Sequence, residues 1–419
     1  MKEIIKYRFS VIILFIILFC MFFFIKCISN QKDKTAIINK SNYKTFTGGA
    51  TCVNCHKSIC DSAANTAHFN TSAIADNKNI MGSFETGKNT FVYNTGGTVA
   101  MEKRATGFYQ VAYINGVEKK RQRFDITIGS GTKGQSYASW INNVLVQLPV
   151  TYFTSADKWC NSPGYPDKIA FNRPITSRCL ECHASFAEKI SEPEREPEEF
   201  DKTRIILGVD CERCHGPAAQ HVKFQTENPK EKKAKFIINP ALFSRQQSLD
   251  MCALCHGGRL QKIKPSFTFT AGDKLADYFL IDTTPKNVNA IDVHGNQYGL
   301  LAASKCFKMS TTLTCNTCHN THANEKGDAV LFSQRCISCH NDKHQGAVLC
   351  KMTATLGNGI INKDCISCHM PQQPSMAIAV LLQGQHTPTP ALMHTHLIKN
   401  YPEEIKKILA FINEKSNRK

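Results

Sequence analysis

The sequence predicts a mainly helical fold arranged around bound groups rather than one large apolar core, with a small β-rich insertion between its first and second motifs. Three observations lead there. The string Cys-x-x-Cys-His recurs seven times in 419 residues. From the second copy onward the intervening stretches run to roughly 20 to 60 residues, room for one or two helices each. The one long gap, of more than 120 residues, is instead rich in short extended runs.

The copies are Cys52/Cys55/His56, Cys179/Cys182/His183, Cys211/Cys214/His215, Cys252/Cys255/His256, Cys315/Cys318/His319, Cys336/Cys339/His340 and Cys365/Cys368/His369. Chance placement of 20 Cys and 15 His would give roughly 0.03 such strings, so the repeat is a device and not an accident of composition. Fourteen of the twenty cysteines belong to it. Zinc ribbons and disulfide frameworks also use Cys-x-x-Cys, but neither needs a histidine after every pair. Covalent attachment of c-type haem does: each thiol becomes a thioether to a porphyrin vinyl group, and the adjacent imidazole becomes the proximal iron ligand. The expectation is seven covalently attached haems c, with the fourteen cysteines as anchors and the seven motif histidines on the irons.

The elements follow in chain order. Residues 1–27 contain Lys2, Lys6 and Arg8, then the uncharged run FSVIILFIILFCMFFFI (9–25), then Lys26. This is an export signal or N-terminal membrane anchor, and the positive flank stays inside. Cys27 sits where a lipid acceptor would, although Lys26 before it departs from the usual small residue, and Cys20 reads as a small hydrophobe. Residues 28–50 are a polar linker, 51–400 the seven-haem domain, and 401–419 a terminal helix. The β-rich insertion spans about 88–155: FVYNTGGTVAM and NVLVQLPVTYF are strand candidates, and Asn115-Gly116 sits between two extended runs as a type I′ hairpin turn. Phe124, Ile126 and Ile128 alternate after it. SEPEREPEEFD (191–201) is expected to be a solvated loop. In NYPEEIKKILAFINEK, Pro402 and two glutamates open an amphipathic helix whose apolar face is Ile405, Ile408, Leu409 and Ile412.

The formal charge of +17 would ordinarily point to an acidic partner. Seven haems add fourteen propionates and seven cationic ferric cores, which leaves about +10 oxidised and about +3 reduced. No nucleic-acid-binding motif accompanies the basic residues, and nucleic acid is not an expected partner.

Eight histidines lie outside the motifs: His68, His221, His294, His322, His344, His386, His394 and His396. Seven irons need seven distal ligands, and His68, His221, His294, His322, His344 and His396 are the candidates carried forward. His322 is three residues past His319, with at most about 10 to 11 Å of chain between them, too short to round the ring. It and His344, beside His340, are therefore expected to serve neighbouring haems, drawing the cofactors into a close-packed chain. Cys60, Cys160, Cys306 and Cys350 are left over, enough for two disulfides or four buried thiols.

CISCHMP with MHTHLI downstream resembles the last haem segment of the multihaem cytochromes related to hydroxylamine oxidoreductase and the pentahaem nitrite reductase. WCNSPGYPDKIAFNRPITSRCLECH, GVDCERCHGPAAQHV and LTCNTCHNTHA are similar to segments of multihaem cytochromes in the same superfamily. The resemblance covers roughly residues 50 to 400. It implies a mainly helical fold with stacked haem pairs and a distal histidine after the last motif, best matched by His396. The Cys-x-x-Cys-Lys that marks the active haem of the nitrite reductases is absent from this sequence.

Two functions are expected from these residues. In the first, every iron is six-coordinate and the exported chain carries electrons between redox proteins, other cytochromes or a quinol-linked membrane complex. In the second, one haem keeps an open face and converts a small nitrogen or sulfur compound, with His294 in DVHGNQYG as a proton-donor candidate. The setting is periplasmic or otherwise extracytoplasmic, membrane-anchored if the leader is retained, and association between chains is compatible with either function.

Overall fold

The computed structural model describes residues 45–192, 195–281, 287–288, 291–341, 350–352 and 363–417. The N-terminal apolar run, Cys20, Cys27 and His344 lie outside them. Among the described residues no helix is long and apolar enough to cross a membrane.

The chain is not mainly helical. It is mixed, 29% helix and 26% strand, and the β region is large: it begins at residue 72 and ends at 161. The strands are β1 (Ser72–Ile74), β2 (Thr90–Val92), β3 (Thr98–Arg104), β4 (Gly107–Ile114), β5 (Val117–Arg123), β6 (Ile126–Ile128), β7 (Gly134–Ile141), β8 (Val144–Gln147), β9 (Val150–Phe153) and β10 (Lys158–Asn161). β2 to β5 form an antiparallel meander, while β1, β6, β7 and β8 lie side by side in a second sheet and β9 pairs with β7 and β10. The Asn115-Gly116 turn is where the sequence places it. Both residues have positive φ, 51° and 77°, the combination that a two-residue hairpin with right-handed strand twist requires. β5 is the free edge of its sheet, and its exposed Lys119, Lys120 and Arg121 discourage pairing with another strand.

One aromatic core holds the two sheets together. Trp159 is 4% exposed and meets Phe84, Phe124, Tyr137 and Tyr152 edge-on or tilted, while its indole N–H donates to Ser83 O at 2.8 Å. Cys160 is buried in the same core and donates to Thr151 O.

The remaining departures from an all-helical expectation are strands that directly follow haem motifs. β11 (Ala184–Lys189) leaves the second motif and pairs with β12 (Phe200–Leu207), and β13 (Gln372–Val380) leaves the seventh and pairs with β14 (Thr389–His394). Runs such as ASFAEK and FDKTRIIL are too short for stable helices and turn back through proline-bearing loops, so gap length alone was a poor guide. Val380 and Ala391 tie the second hairpin into the aromatic core. The acidic 191–201 stretch is not wholly solvated either: Glu198 is 5% exposed and accepts hydrogen bonds from the Ser177 amide, the Ser177 hydroxyl and Lys189 Nζ.

The helices are short. They are α1 (Gly49–Ala63), α2 (Ser177–His183), α3 (Cys211–His215), α4 (Ala219–Glu227), α5 (Arg245–His256), α6 (Gln297–Ala303), α7 (Lys305–Met309), α8 (Ala329–Ile337), α9 (Cys365–His369) and α10 (Pro402–Asn417). α10 is the C-terminal helix read from the sequence, and the apolar clusters near the motifs are small; Leu249, Leu301 and Phe307 make up the buried part of one of them.

Candidate haem sites

Six of the seven motifs sit in or at the end of a helix, and the fifth forms a 3-10 turn at Cys315–Thr317. One helical turn explains the spacing: thiols at i and i+3 and an imidazole at i+4 project from one face. Local capping fixes where several of these helices begin. Asp210 accepts from Glu212 N at the head of α3, Ser244 and Gln247 form a capping box on α5, and Asp328 and Asp364 cap α8 and α9.

The imidazoles are held by one nitrogen. His215 Nδ1 is 3.0 Å from Ile238 O, His369 Nδ1 is 3.1 Å from Lys399 O, and His221 Nδ1 is 2.9 Å from Lys235 O. A carbonyl oxygen only accepts, so Nδ1 carries the proton in each and the Nε2 lone pair is left for a metal. His394, with Nδ1 2.6 Å from Met370 O, shares the arrangement, although its sequence context gave no reason to prefer it over the other non-motif histidines. His256 leans on Gln297 Oε1 and His183 on Thr71 Oγ1.

Rings far apart in sequence face each other. His68 and His256, His215 and His322, and His319 and His396 each have ring centres 6.1 Å apart. Two imidazoles bonded through nitrogen to one iron, with metal–nitrogen bonds of about 2.0 Å, have ring centres about 6 Å apart. The residues present therefore fit a haem iron between each pair. His183 and His294 are also neighbours, the charge of His294 helping to hold His183 low. Desolvation pulls His68, His183, His256, His294, His319 and His322 below the ordinary imidazole range and His396 to about 4, so all are neutral at pH 7, the form that ligates. His68 keeps accessible surface although the protein around it desolvates the ring.

The first motif is among the more exposed of the seven. Cys55 and His56 are both exposed, and among the described residues no histidine ring faces His56. The backbone at His56 has φ −117° and ψ 36°, outside helical values, so α1 kinks there and the imidazole leaves the face it would share with the two thiols in a regular helix. The reason lies in how α1 packs. α1 touches α3 through Gly49, Cys52 and Cys60, and Cys55 and His56, between these contacts, face solvent. Cys179 of the second motif and Cys339 and His340 of the sixth are exposed as well, but Cys179 lies against Thr176 Oγ1 and Cys339 near Cys306 and Cys318.

Thiol contacts give the order of the motifs in space. Cys52 meets Cys211, Cys182 meets Cys255, Cys252 meets Cys315, and Cys336 meets Cys365. Cys214 lies near Cys252, and Cys318 near Cys336 and Cys339. The spatial order is first, third, fourth, fifth, sixth, seventh, with the second motif beside the fourth. Of the cysteines outside the motifs, Cys60, Cys160 and Cys306 are free thiols; Cys160 is locked in the β core and Cys60 sits against Cys211.

A family profile described as Cytochrome c554 and c-prime matches residues 166–216, the segment that carries the second and third motifs. No curated protein matches the chain. Among solved structures, it is similar to the outer cell wall cytochrome OcwA at 16% identity, with a TM-score of 0.51 over 87% of this chain and 81% of that one. That likeness is one of fold, and the profile match is confined to the second and third motifs.

Around its motifs the chain places carboxylates that the Cys-x-x-Cys-His strings did not announce. Glu212, an interior residue of the third motif and 2% exposed, accepts from the amides of Thr47, Gly48 and Ala218, while Asp210 accepts from Gly49 N. These bonds seat the head of α1 on α3. Gly208, at φ 74°, closes the same junction, since a Cβ there would collide with Phe69 O. Asp292 accepts from the amides of His294, Gly295, Met376 and Ala377 and so ties the His294 loop to β13. The available signal in sequence was an acidic residue inside or two positions before a motif element, a pattern shared with ordinary solvated charges.

Glu325 supplies a pH test. Arg335 donates to both of its oxygens, at 2.7 and 2.5 Å, and to Cys318 O at 2.6 Å, clamping the fifth motif to α8. The guanidinium holds the carboxyl at about 2. A depressed folded value means that the stabilisation is present above the unfolded carboxylate value, about 4.3, and fades as pH falls through the folded one. Glu325→Gln is expected to cost about 2 kcal/mol at neutral pH and to remove part of the acid loss of stability between about pH 4 and pH 2, read by thermal melting across that range.

Proposed function

We propose that this chain is an exported electron carrier with seven covalent haems, one on each Cys-x-x-Cys-His motif, most of them ligated by two histidines. The observation that carries the reading is the 6.1 Å separation of three histidine pairs, each joining a motif histidine to one from a distant segment. On this reading His256 pairs with His68, His215 with His322, His319 with His396 and His183 with His294, while His221 and His344 serve other irons. The haem on Cys52, Cys55 and His56 is then the solvent-facing end of the series. The haem iron supplies one-electron cycling between ferric and ferrous states. The protein fixes imidazoles by their Nδ1 bonds and keeps successive motifs in thiol contact.

Cross-ligation has a structural consequence. His68 follows the first motif but faces the fourth, and His322 follows the fifth but faces the third, so each iron would join two segments that are remote in sequence. Export follows from the charged and apolar N-terminus, and the similarity to an outer cell wall cytochrome agrees with an extracytoplasmic place. The partners are redox proteins, other cytochromes or a quinol-linked complex of the membrane.

Electron paramagnetic resonance of the oxidised protein, with the attached haems counted by mass spectrometry, tests the reading. The expected result is seven haems and predominantly low-spin signals. Predominantly high-spin signals, or a spectrum that shifts on adding nitrite or hydroxylamine, would instead assign the chain to catalysis at an open iron.

A further inference from the structure

Two arginines stand where the second and fourth motifs meet. Arg178 Nη1 lies 3.4 Å from Cys182 Sγ, and its Nη2 donates to Leu254 O at 2.9 Å. Arg213 Nη2 donates to Glu181 O at 2.9 Å, while its Nε is buried without a hydrogen-bond partner. Each guanidinium also lies over an aromatic ring, Arg178 over Phe279 at 5.1 Å and Arg213 over Phe267 at 5.4 Å. They are held in place, and both act on the contacting thiols Cys182 and Cys255.

The local charge does not cancel. Among the described residues, Glu181 is the one carboxylate paired with either guanidinium, at 3.5 Å from Arg178, and its other oxygen is occupied by Phe267 N. Haem propionates are not natural partners here. Thioethers form at the vinyl-derived edge of the porphyrin and the propionates leave from the opposite edge, so groups against Cys182 and Cys255 face the wrong edge of both haems.

We propose that Arg178 and Arg213 raise the reduction potential of the haems on the second and fourth motifs, making this pair the electron-collecting point of the network. The inference rests on the seven-haem reading above. A fixed cation in a region of low dielectric opposes the more positive ferric core and favours the ferrous one. The second motif touches the spatial series beside the fourth, so its haem would be a side branch that fills first and holds charge while the main line conducts.

The test is a potentiometric titration of the haem-loaded protein followed optically. In Arg213→Gln the first haems to reduce are expected to shift about tenfold toward ferric, about 59 mV for a one-electron couple, while later steps stay in place. Arg213→Lys, which keeps the charge, is expected to restore the first step. Arg178→Gln, at the more accessible of the two sites, should move the same step and gives the reading if the Arg213 variants do not accumulate. An unmoved first step, a uniform shift of all steps, or equal shifts in the Gln and Lys variants would overturn the assignment. Fewer than seven haems on the unmodified protein would count against the parent reading and not against the arginines.

Discussion

Replacing Cys252 and Cys255 together by alanine is expected to leave six haems and to divide them into groups that no longer exchange electrons. α5 carries this motif, and its two cysteines look in different directions: Cys252 meets Cys315 of the fifth motif and Cys255 meets Cys182 of the second. Cys214 of the third lies near Cys252 as well. Every route between the first and third motifs and the rest of the thiol series passes this helix. The comparison is Cys365→Ala with Cys368→Ala, which removes a haem from the end of the series and leaves the others joined. Stopped-flow reduction should show one connected pool in the terminal variant and separate fast and stalled fractions in the central one. A single unbroken reduction phase in the central variant would disprove the spatial order. The buried Leu249, Ala253 and Leu254 keep α5 attached to its neighbours, so the effect should be on conduction more than on the β region.

Glu212→Ala should release the N-terminal haem segment. Three amides, those of Thr47, Gly48 and Ala218, lose their acceptor in a buried junction, and an orphaned buried donor costs about 1–3 kcal/mol. Water can reach part of the site, so a total of about 3 kcal/mol is the expectation. Limited proteolysis should then cut ahead of α1 much faster than in the unmodified protein, and equal protection would argue against the clamp. Glu212→Gln keeps one acceptor and should be milder. Burial lifts the Glu212 carboxyl above its ordinary value. Its favourable contribution is therefore complete below the unfolded value, about 4.3, and fades as pH rises through the folded one, so the Gln deficit should shrink toward neutral pH.

The proposed haem anchors are legible because thioether chemistry demands two thiols and an imidazole within one helical turn, a local pattern that no fold can hide. The Asn115-Gly116 hairpin was legible for the same reason: its positive φ values restrict which residues can stand there. The balance of helix and strand was not. A six-residue run after a haem motif has no period long enough to separate strand from helix, and what settled Ala184–Lys189 was its partner Phe200–Leu207 across a loop. Nor could the sequence pair its histidines. It also gave no sign that Cys55 and His56 would face solvent while Cys52, in the same motif, met Cys211, because burial depends on what packs over a helix face.

What this sequence determined by itself is therefore the set of thiols and imidazoles that the proposed covalent chemistry needs, since each motif is complete within five residues. What only the tertiary structure decided is geometry between segments: His68 against His256 across 188 positions, Glu212 beneath the amides of Thr47 and Gly48, and the second motif beside the fourth. Those contacts depend on how the β region and short helices close on one another, and closure is a property of the whole chain that no local string encodes.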